Sequence, residues 1–426
     1  YTLHHLFLTR NAVYFVVFDM RKLVDTGATE PIDEMDLSKG TRAVYDPAGC
    51  ASFLRFWLCS LYTHARGAKV VLVGTHGDTV ASAEQHRAVD ECLEAAFGIE
   101  NATNGRGLLL GCANESLDIE MNDDDDLCFF PVDNSKREPV DPVVTRLRAR
   151  VDAILEKEAF VREPIPLTWY ELHDALQARA NDKTAAQPVM RRADVARLAP
   201  SLPADQLEAA LRLFHQLGML VYFPEPALRE WVTLDPQFLV DRISAVIRDY
   251  TLHAATRDPE ARKLAHEWKA LTERGVVSAT LLQCLWRDHE EMVPHLTALL
   301  EKLGLACPLP GAPTRYLVPS ILPAKAVPAS TTPMHECTLE LTLGTGNATL
   351  PFLPESLWAR LLVKCQQYSA LLGGQAVDGS VEAGGASELA RDWARLDFGG
   401  PSFELRRDEA AHAVLVRNRA AYPTGV

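Results

Sequence analysis

The 426-residue chain reads as a multidomain protein of α/β and α+β units: a parallel sheet with helices first, a helix-rich unit next, and a strand-rich unit last. Three observations predict this. Two apolar runs of strand length, 11–19 and 68–73, flank a segment of helical spacing. From about residue 140 the apolar residues recur at helical steps. Beyond the Pro-, Ala-, Ser- and Thr-rich stretch 322–333, which reads as a linker, alternation of period two takes over. The units are expected at 1–160, 161–325 and 334–426.

In the first unit, Val13-Tyr14-Phe15-Val16-Val17-Phe18-Asp19 is a strand. Phe53-Leu54, Trp57-Leu58 and Leu61-Tyr62 mark a helix, and Lys69-Val70-Val71-Leu72-Val73 is a second strand. Strand, helix, strand implies parallel pairing with a right-handed crossover. The β-branched run before Gly74 suits a strand buried on both faces, and ligands bind at the carboxyl ends of such strands. Asp78 falls at that end, in Gly74-Thr75-His76-Gly77-Asp78. Its carboxylate suits the N1–H and exocyclic N2 donors of guanine, a bidentate contact that adenine does not offer. Leu127-Cys128-Phe129-Phe130-Pro131-Val132 is a third strand leading to Asp133-Asn134-Ser135, whose turn is expected to close over the guanine with backbone amides. Asp46-Pro47-Ala48-Gly49 is assigned to a loop. Pro142 to Lys157 is the last helix of the unit, with Val143, Leu147, Val151 and Leu155 at steps of four.

Glu163-Pro164-Ile165-Pro166 marks a linker into the second unit. There Pro203 suits a first helical turn, Leu207, Leu211 and Phe214 form an apolar stripe, and Leu217-Gly218 is a helix stop. A hairpin follows, Met219–Phe223 and Trp231–Leu234 about the turn Pro224-Glu225-Pro226, before Asp235-Pro236 opens another helix. Helix, hairpin, helix suggests a winged-helix unit. Its candidate recognition helix carries Asp205, Glu208 and a single Arg212, so protein packing suits it better than DNA. His215 reads as a core or interface histidine. In the last unit, 338–343 and strands containing Phe403-Glu404-Leu405 and Ala413-Val414-Leu415-Val416 accompany a helix from 353 to Tyr368.

The net charge of −14 argues against nucleic-acid and anionic-membrane partners, which are bound through clustered Lys and Arg. No signal-like start or membrane-length apolar stretch is present, and a cytoplasmic location is expected. The nine cysteines include no Cys-x-x-Cys pair and read as buried free thiols. Asp123-Asp124-Asp125-Asp126 reads as a solvated loop; consecutive aspartates diverge rather than converge on a cation. Asp25-Thr26-Gly27 matches an aspartic-protease signature without a second copy, and 373–385 is a glycine-rich loop. No catalytic and no metal-ligating residue is assigned.

His5-Leu6-Phe7-Leu8-Thr9-Arg10 with the 13–19 strand, Phe56-Trp57 and Val73-Gly74-Thr75-His76-Gly77-Asp78 resembles the Roc GTPase domain of the ROCO proteins. In that family Thr-His-x-Asp stands where Ras-like GTPases carry Asn-Lys-x-Asp. The resemblance therefore implies a partial P-loop-type G domain in which Thr75, His76 and Asp78 read guanine. His76 packs on the base rather than acting as a catalyst, and Asp133, Asn134 and Ser135 complete the pocket. Phe214–Phe223 and Trp231–Leu239 look like the first half of a COR domain, and 334–426 resembles its second half. In the family that half dimerises. Leu357, Leu361 and Leu362 are candidates for an exposed apolar contact face, with an intradomain core as the equal alternative.

The resemblance further implies a parent that binds GTP and GDP, hydrolyses GTP with Mg²⁺ and couples nucleotide state to COR homodimerisation. Leucine-rich repeats upstream and sometimes a kinase downstream go with it. A phosphate loop needs Gly-Lys-Ser or Gly-Lys-Thr, and neither occurs in this sequence. The family's phosphate loop and switches precede the tract matched here. The expectation is an amino-terminally truncated Roc domain that does not itself turn over GTP. The alternative is a non-enzymatic scaffold with a degenerate G domain.

Overall fold

The computed structural model describes residues 8–24, 45–97, 108–109, 117–136, 140–182, 188–247, 263–309, 312–324, 335–340, 342–343, 350–351, 353, 355–371, 388–397, 402–408 and 413–419. Asp25-Thr26-Gly27, Cys112, 325–333 and the 373–385 glycines lie outside them.

In the first unit, β1 (Val13–Asp19) and β2 (Lys69–Thr75) pair in parallel along their whole length, with α1 (Pro47–His64) as the crossover. α2 (Ala83–Phe97) follows, then β3 (Leu108–Leu109), β4 (Leu117–Ile119), β5 (Phe130–Pro131) and α3 (Pro142–Lys157). β4 pairs with the start of β2 and β5 with its end, both in parallel. Since β1 occupies one edge of β2, β4 and β5 share the other.

Central placement explains the continuous apolar run of β2. Val70 and Leu72 join Val16, Phe18, Leu54, Leu58, Val89 and Leu93 in one cluster, whereas Val71 and Val73 join Phe130, Val132 and Ile154 in another. Alternate side chains thus serve opposite faces. Full burial of each such side chain stabilises by about 1.5–3 kcal/mol. On α3 the buried residue is Ile154, not Leu155; Val143 and Leu147 pack with it. From Val143 to Ile154 is three turns at 3.6 residues per turn, a step that constant fours overshoot.

Asp46-Pro47-Ala48-Gly49 is not a loop. Asp46 caps α1, its carboxylate accepting from the Gly49 amide at 2.9 Å, and Pro47 is the first helical residue. An Asp cap followed by Pro is a helix start in its own right. The acidic run is a turn between β4 and β5, and it is paired as well as solvated. Arg146 meets Asp124 and Asp125, and Arg150 bridges Asp123 and the buried Glu120, which Lys69 also approaches. Among the described residues no group of three or more His, Cys, Asp or Glu could hold a metal ion.

The second unit comprises α4 (Ala159–Arg162), α5 (Leu167–Ala180), β6 (Val189–Arg191), α6 (Arg192–Leu198), α7 (Ala204–Gln216), β7 (Val221–Tyr222), β8 (Trp231–Thr233) and α8 (Pro236–Ile247). The strands form an antiparallel sheet in the order β6-β8-β7. Leu207, Leu211 and Phe214 are buried in one cluster, and α7 stops at Gly218, whose φ of 71° only glycine adopts without strain. The chain continues through α9 (Ala265–Arg274), β9 (Val276–Ser278), α10 (Ala279–Leu285), α11 (Val293–Lys302), β10 (Cys307–Leu309) and β11 (Ala312–Leu317).

The last unit has a five-stranded sheet in the order β12-β18-β17-β16-β15: β12 (His335–Glu340), β15 (Glu388–Leu389), β16 (Trp393–Asp397), β17 (Ser402–Asp408) and β18 (Ala413–Arg419). β13 (Thr342–Leu343) and β14 (Leu350–Pro351) pair separately, so 338–343 is two strands rather than one. α12 (Glu355–Leu371) packs on the sheet side. Leu362 is buried in the intradomain core and Leu361 packs partly against it, leaving Leu357 exposed. Of the two alternatives for these leucines, the intradomain core takes Leu362 and part of Leu361, and only Leu357 of the three stays on an outer face. Leu322, expected in a linker, is buried in the same cluster as Val276, Trp358 and Leu362, so the last two units share apolar packing. Of the eight described cysteines four are buried and Cys337 is exposed. Burial pushes the Cys59 thiol up to about 12. No helix among the described residues is long and apolar enough to cross a membrane.

Candidate functional site: the turns at the carboxyl ends of the parallel strands

Parallel pairing brings the carboxyl ends of β1, β2 and β5 to one edge of the sheet. Two turns leave β2 and β5 side by side there. The Val132 amide donates to the Gly74 carbonyl at 2.7 Å, and the Gly77 amide donates to the Val132 carbonyl at 3.0 Å. A side chain would crowd both contacts. A Cβ on Gly74 would lie 2.7 Å from the Met20 side chain, and one on Gly77 would lie 3.0 Å from the Val132 carbonyl carbon. The Thr75 hydroxyl donates to the Phe18 carbonyl at 3.0 Å, tying the turn to β1.

His76 has a left-handed backbone, φ 67°, and its carbonyl accepts from the amides of Thr79 and Val80. A non-glycine residue there is uncommon, although histidine enters this region more readily than most. Its Nε2 lies 3.0 Å from Nη2 of Arg21, and 3.6 Å from the Asp19 carboxylate. Arg21 grips Asp19 through Nε and Nη2 at 3.0 and 2.8 Å. Burial works to raise the Asp19 carboxyl, but the hydrogen bonds and charge of Arg21 outweigh it and hold the group low. Asp78 is exposed at the tip, with the Thr79 hydroxyl against its carboxylate at 3.4 Å.

In the neighbouring turn the Asp133 carboxylate accepts from the Ser135 hydroxyl and amide and pairs with Lys136 at 3.0 Å. The Ser135 and Lys136 contacts hold its carboxyl down at about 2. The Asp133 amide donates to Asp141 at 2.7 Å. Two of the three amides expected to face a base are thus engaged by carboxylates of the protein itself, and Asn134 sits exposed at the tip of the turn. Lys136 also lies in the field of Asp78. All six expected residues converge on this edge. Three others, Asp19, Arg21 and Lys136, join them unforeseen. Asp19-Met20-Arg21 follows the strand next to β2, so the rule that sites gather at strand ends applied to it equally.

The edge can present a carboxylate acceptor, an imidazole face and an ammonium to one planar polar ligand. A cavity of about 380 Å³ lies elsewhere, lined by Arg10, Gly67, Glu158, Phe160 and Gln216, and holds none of these groups.

The family model described as "C-terminal of Roc, COR-A domain" matches residues 166–322. The probable serine/threonine-protein kinase pats1 of Dictyostelium discoideum is 23% identical over 341 residues, 76% of this chain and 8% of that protein. In the same organism the probable serine/threonine-protein kinase roco6 is 24% identical over 316 residues, 72% of this chain and 12% of that protein. Its probable serine/threonine-protein kinase qkgA is 31% identical over 124 residues, 29% and 7% respectively. The chain therefore spans only 7% to 12% of these relatives. Among solved structures, that of Methanosarcina barkeri Roco2 RocCORdC bound to GDP aligns at a TM-score of 0.43 and 13% identity, covering 75% of each chain.

Proposed function

We propose, for a chain that belongs to the ROCO family of Roc-COR proteins, that the edge formed by Thr75–Asp78 and Asp133–Lys136 is the base-reading half of a GTP- and GDP-binding site. One observation carries the proposal: the Gly77–Val132 hydrogen bond sets an exposed aspartate beside a second polar turn at the carboxyl end of a parallel sheet. On this reading Asp78 accepts from N1–H and N2–H of guanine, His76 packs on the base, and the second turn encloses its far side. Lys136 steers the nucleotide electrostatically.

The phosphate half would dock along β1. Among the described residues β1 pairs only with β2, and Phe15 and Val17 on its far face are 48% and 52% exposed. Apolar side chains beside an open strand edge suit a further strand and its covering helix. Mg²⁺, GTP hydrolysis and the kinase activity carried in the relatives' names belong with whole proteins of this family. The helix–hairpin–helix unit serves protein packing, in keeping with the acidic chain. The strand-rich unit supports a homodimer, which light scattering on the full chain would read as a doubled mass.

Base contacts alone bind weakly, so the test is an NMR titration of the full chain with millimolar nucleotide. GDP is expected to shift the Thr75–Asp78 and Asp133–Lys136 amides, and ADP to leave them in place. In D78N the carboxamide offers one donor and one acceptor. Preference then moves toward XDP, whose 2-oxo group accepts, and the discrimination against ADP falls by roughly tenfold or more. Equal responses to GDP and ADP would sink the reading and favour a scaffold.

A further inference from the structure

We infer that Arg21 is a positioning residue for the base-reading edge: by donating to Nε2 of His76 it fixes the imidazole in the neutral tautomer protonated at Nδ1 and orders the ring before a base arrives. This rests on the guanine reading above and deepens it.

Arg21 is itself immobilised. Its backbone amide and Nε both donate to Oδ1 of Asp19 at 3.0 Å, and Nη2 donates to Oδ2 at 2.8 Å. From that fork Nη2 also reaches His76 Nε2 at 3.0 Å. A guanidinium has donors only and keeps its proton throughout the physiological range. The ring nitrogen it meets must therefore accept, and an imidazole accepting at Nε2 carries its single proton at Nδ1. Protonation at Nε2 would set an N–H against the guanidinium, the nearer of the two charges, with the Asp19 carboxylate farther off at 3.6 Å.

A hydrogen bond to a ring nitrogen lies close to the ring plane, so this contact leaves the π faces free. The His76 side chain is 36% exposed, enough to offer one face to a planar ligand. The backbone is fixed as well, through the two amides that donate to the His76 carbonyl. A ring held on both sides loses little further freedom on binding, which is the physical content of preorganisation. Arginine suits the task where lysine does not: one planar fork spans Asp19 and His76 at once.

The test uses the full chain with ¹⁵N-labelled histidine, as wild type, R21K and R21A. Long-range ¹H–¹⁵N spectra at neutral pH are expected to show wild-type His76 unprotonated at Nε2 and protonated at Nδ1. R21A should give a tautomer mixture, and R21K should recover part of the wild-type signature. Titrated with GDP and read at the Asp78 amide, R21A should bind roughly three- to tenfold more weakly, the worth of ordering one side chain, with R21K between. R21K also guards against loss of folding, since it keeps a cation beside Asp19. A proton on wild-type Nε2, or unchanged GDP affinity in R21A, would overturn the inference and leave the guanine reading intact. Failure of the wild-type chain to bind GDP would sink the guanine reading, and the base-pocket role of Arg21 with it.

Discussion

His76 and His295 show how differently one residue type is used in two regions of the molecule. His76 stands half-exposed at the sheet edge, on a left-handed backbone, with Arg21 and Asp19 against one nitrogen. His295 lies on α11, 6% exposed, its ring 6.3 Å from that of Trp231, and its buried Nδ1 has no hydrogen-bond partner among the described residues. Burial pushes its pKa down to about 4. His215 at the end of α7 behaves like His295, packed on Phe223 and lowered mainly by burial. The candidate site is distinguished by convergence of polar groups on an exposed edge. Histidine as such marks nothing.

The contrast can be broken most forcefully in the second unit. Trp286 is fully buried and its indole N–H donates to the Arg242 carbonyl at 2.9 Å. Trp286→Ala should cost about 3–5 kcal/mol by urea unfolding, through the cavity and the orphaned carbonyl. The response of the Asp78 amide to GDP in the folded protein should be untouched. A lost response would mean the two regions act as one.

Acid should then separate the two histidines. His295 is harder to protonate folded than unfolded, where its pKa is near 6.5. The unfolded chain therefore binds the proton more readily, so the contribution is complete above about pH 6.5 and is lost as pH falls toward 4, about 3 kcal/mol in all. His295→Leu should flatten that part of the stability–pH curve, followed by thermal unfolding. An unchanged slope in the variant would show that another group carries it.

A smaller effect is expected at the edge. Gly77→Ala places a methyl 3.0 Å from the Val132 carbonyl carbon and 3.2 Å from the Asp133 nitrogen. Prising the turns apart should cost about 1–3 kcal/mol. It should also displace the Gly77 and Val132 amide resonances together, since the Gly77 amide donates to the Val132 carbonyl. If only Gly77 moved, the two turns would not be a unit.

Much of the fold was legible because its signals are local. The strand, helix and strand of 13–75 follow from apolar runs and spacing, and the α7 stop from Leu217-Gly218. Errors arose where a local pattern had two readings. Asp46-Pro47-Ala48-Gly49 looks like a loop motif until its carboxylate is seen capping the helix. Leu362 and Leu322 carry no mark saying whether an apolar residue faces inward. Of the candidate site, Thr75, His76 and Asp78 were visible as one contiguous turn and Asp133, Asn134 and Ser135 as another. Arg21 was not, because its role depends on a neighbour fifty-five residues away.

By itself the sequence determined the parallel first unit, the position of the polar turns at strand ends, and the helical and strand-rich units that follow. These are fixed by periodicity, by Gly and Pro, and by charge, all of which act over a few residues. Only the tertiary structure decided that Gly77 bonds Val132, that Asp133 is occupied by Ser135 and Lys136, and that Arg21 meets His76. Those contacts depend on the register between β1, β2 and β5, which the chain sets only when both faces of β2 are buried.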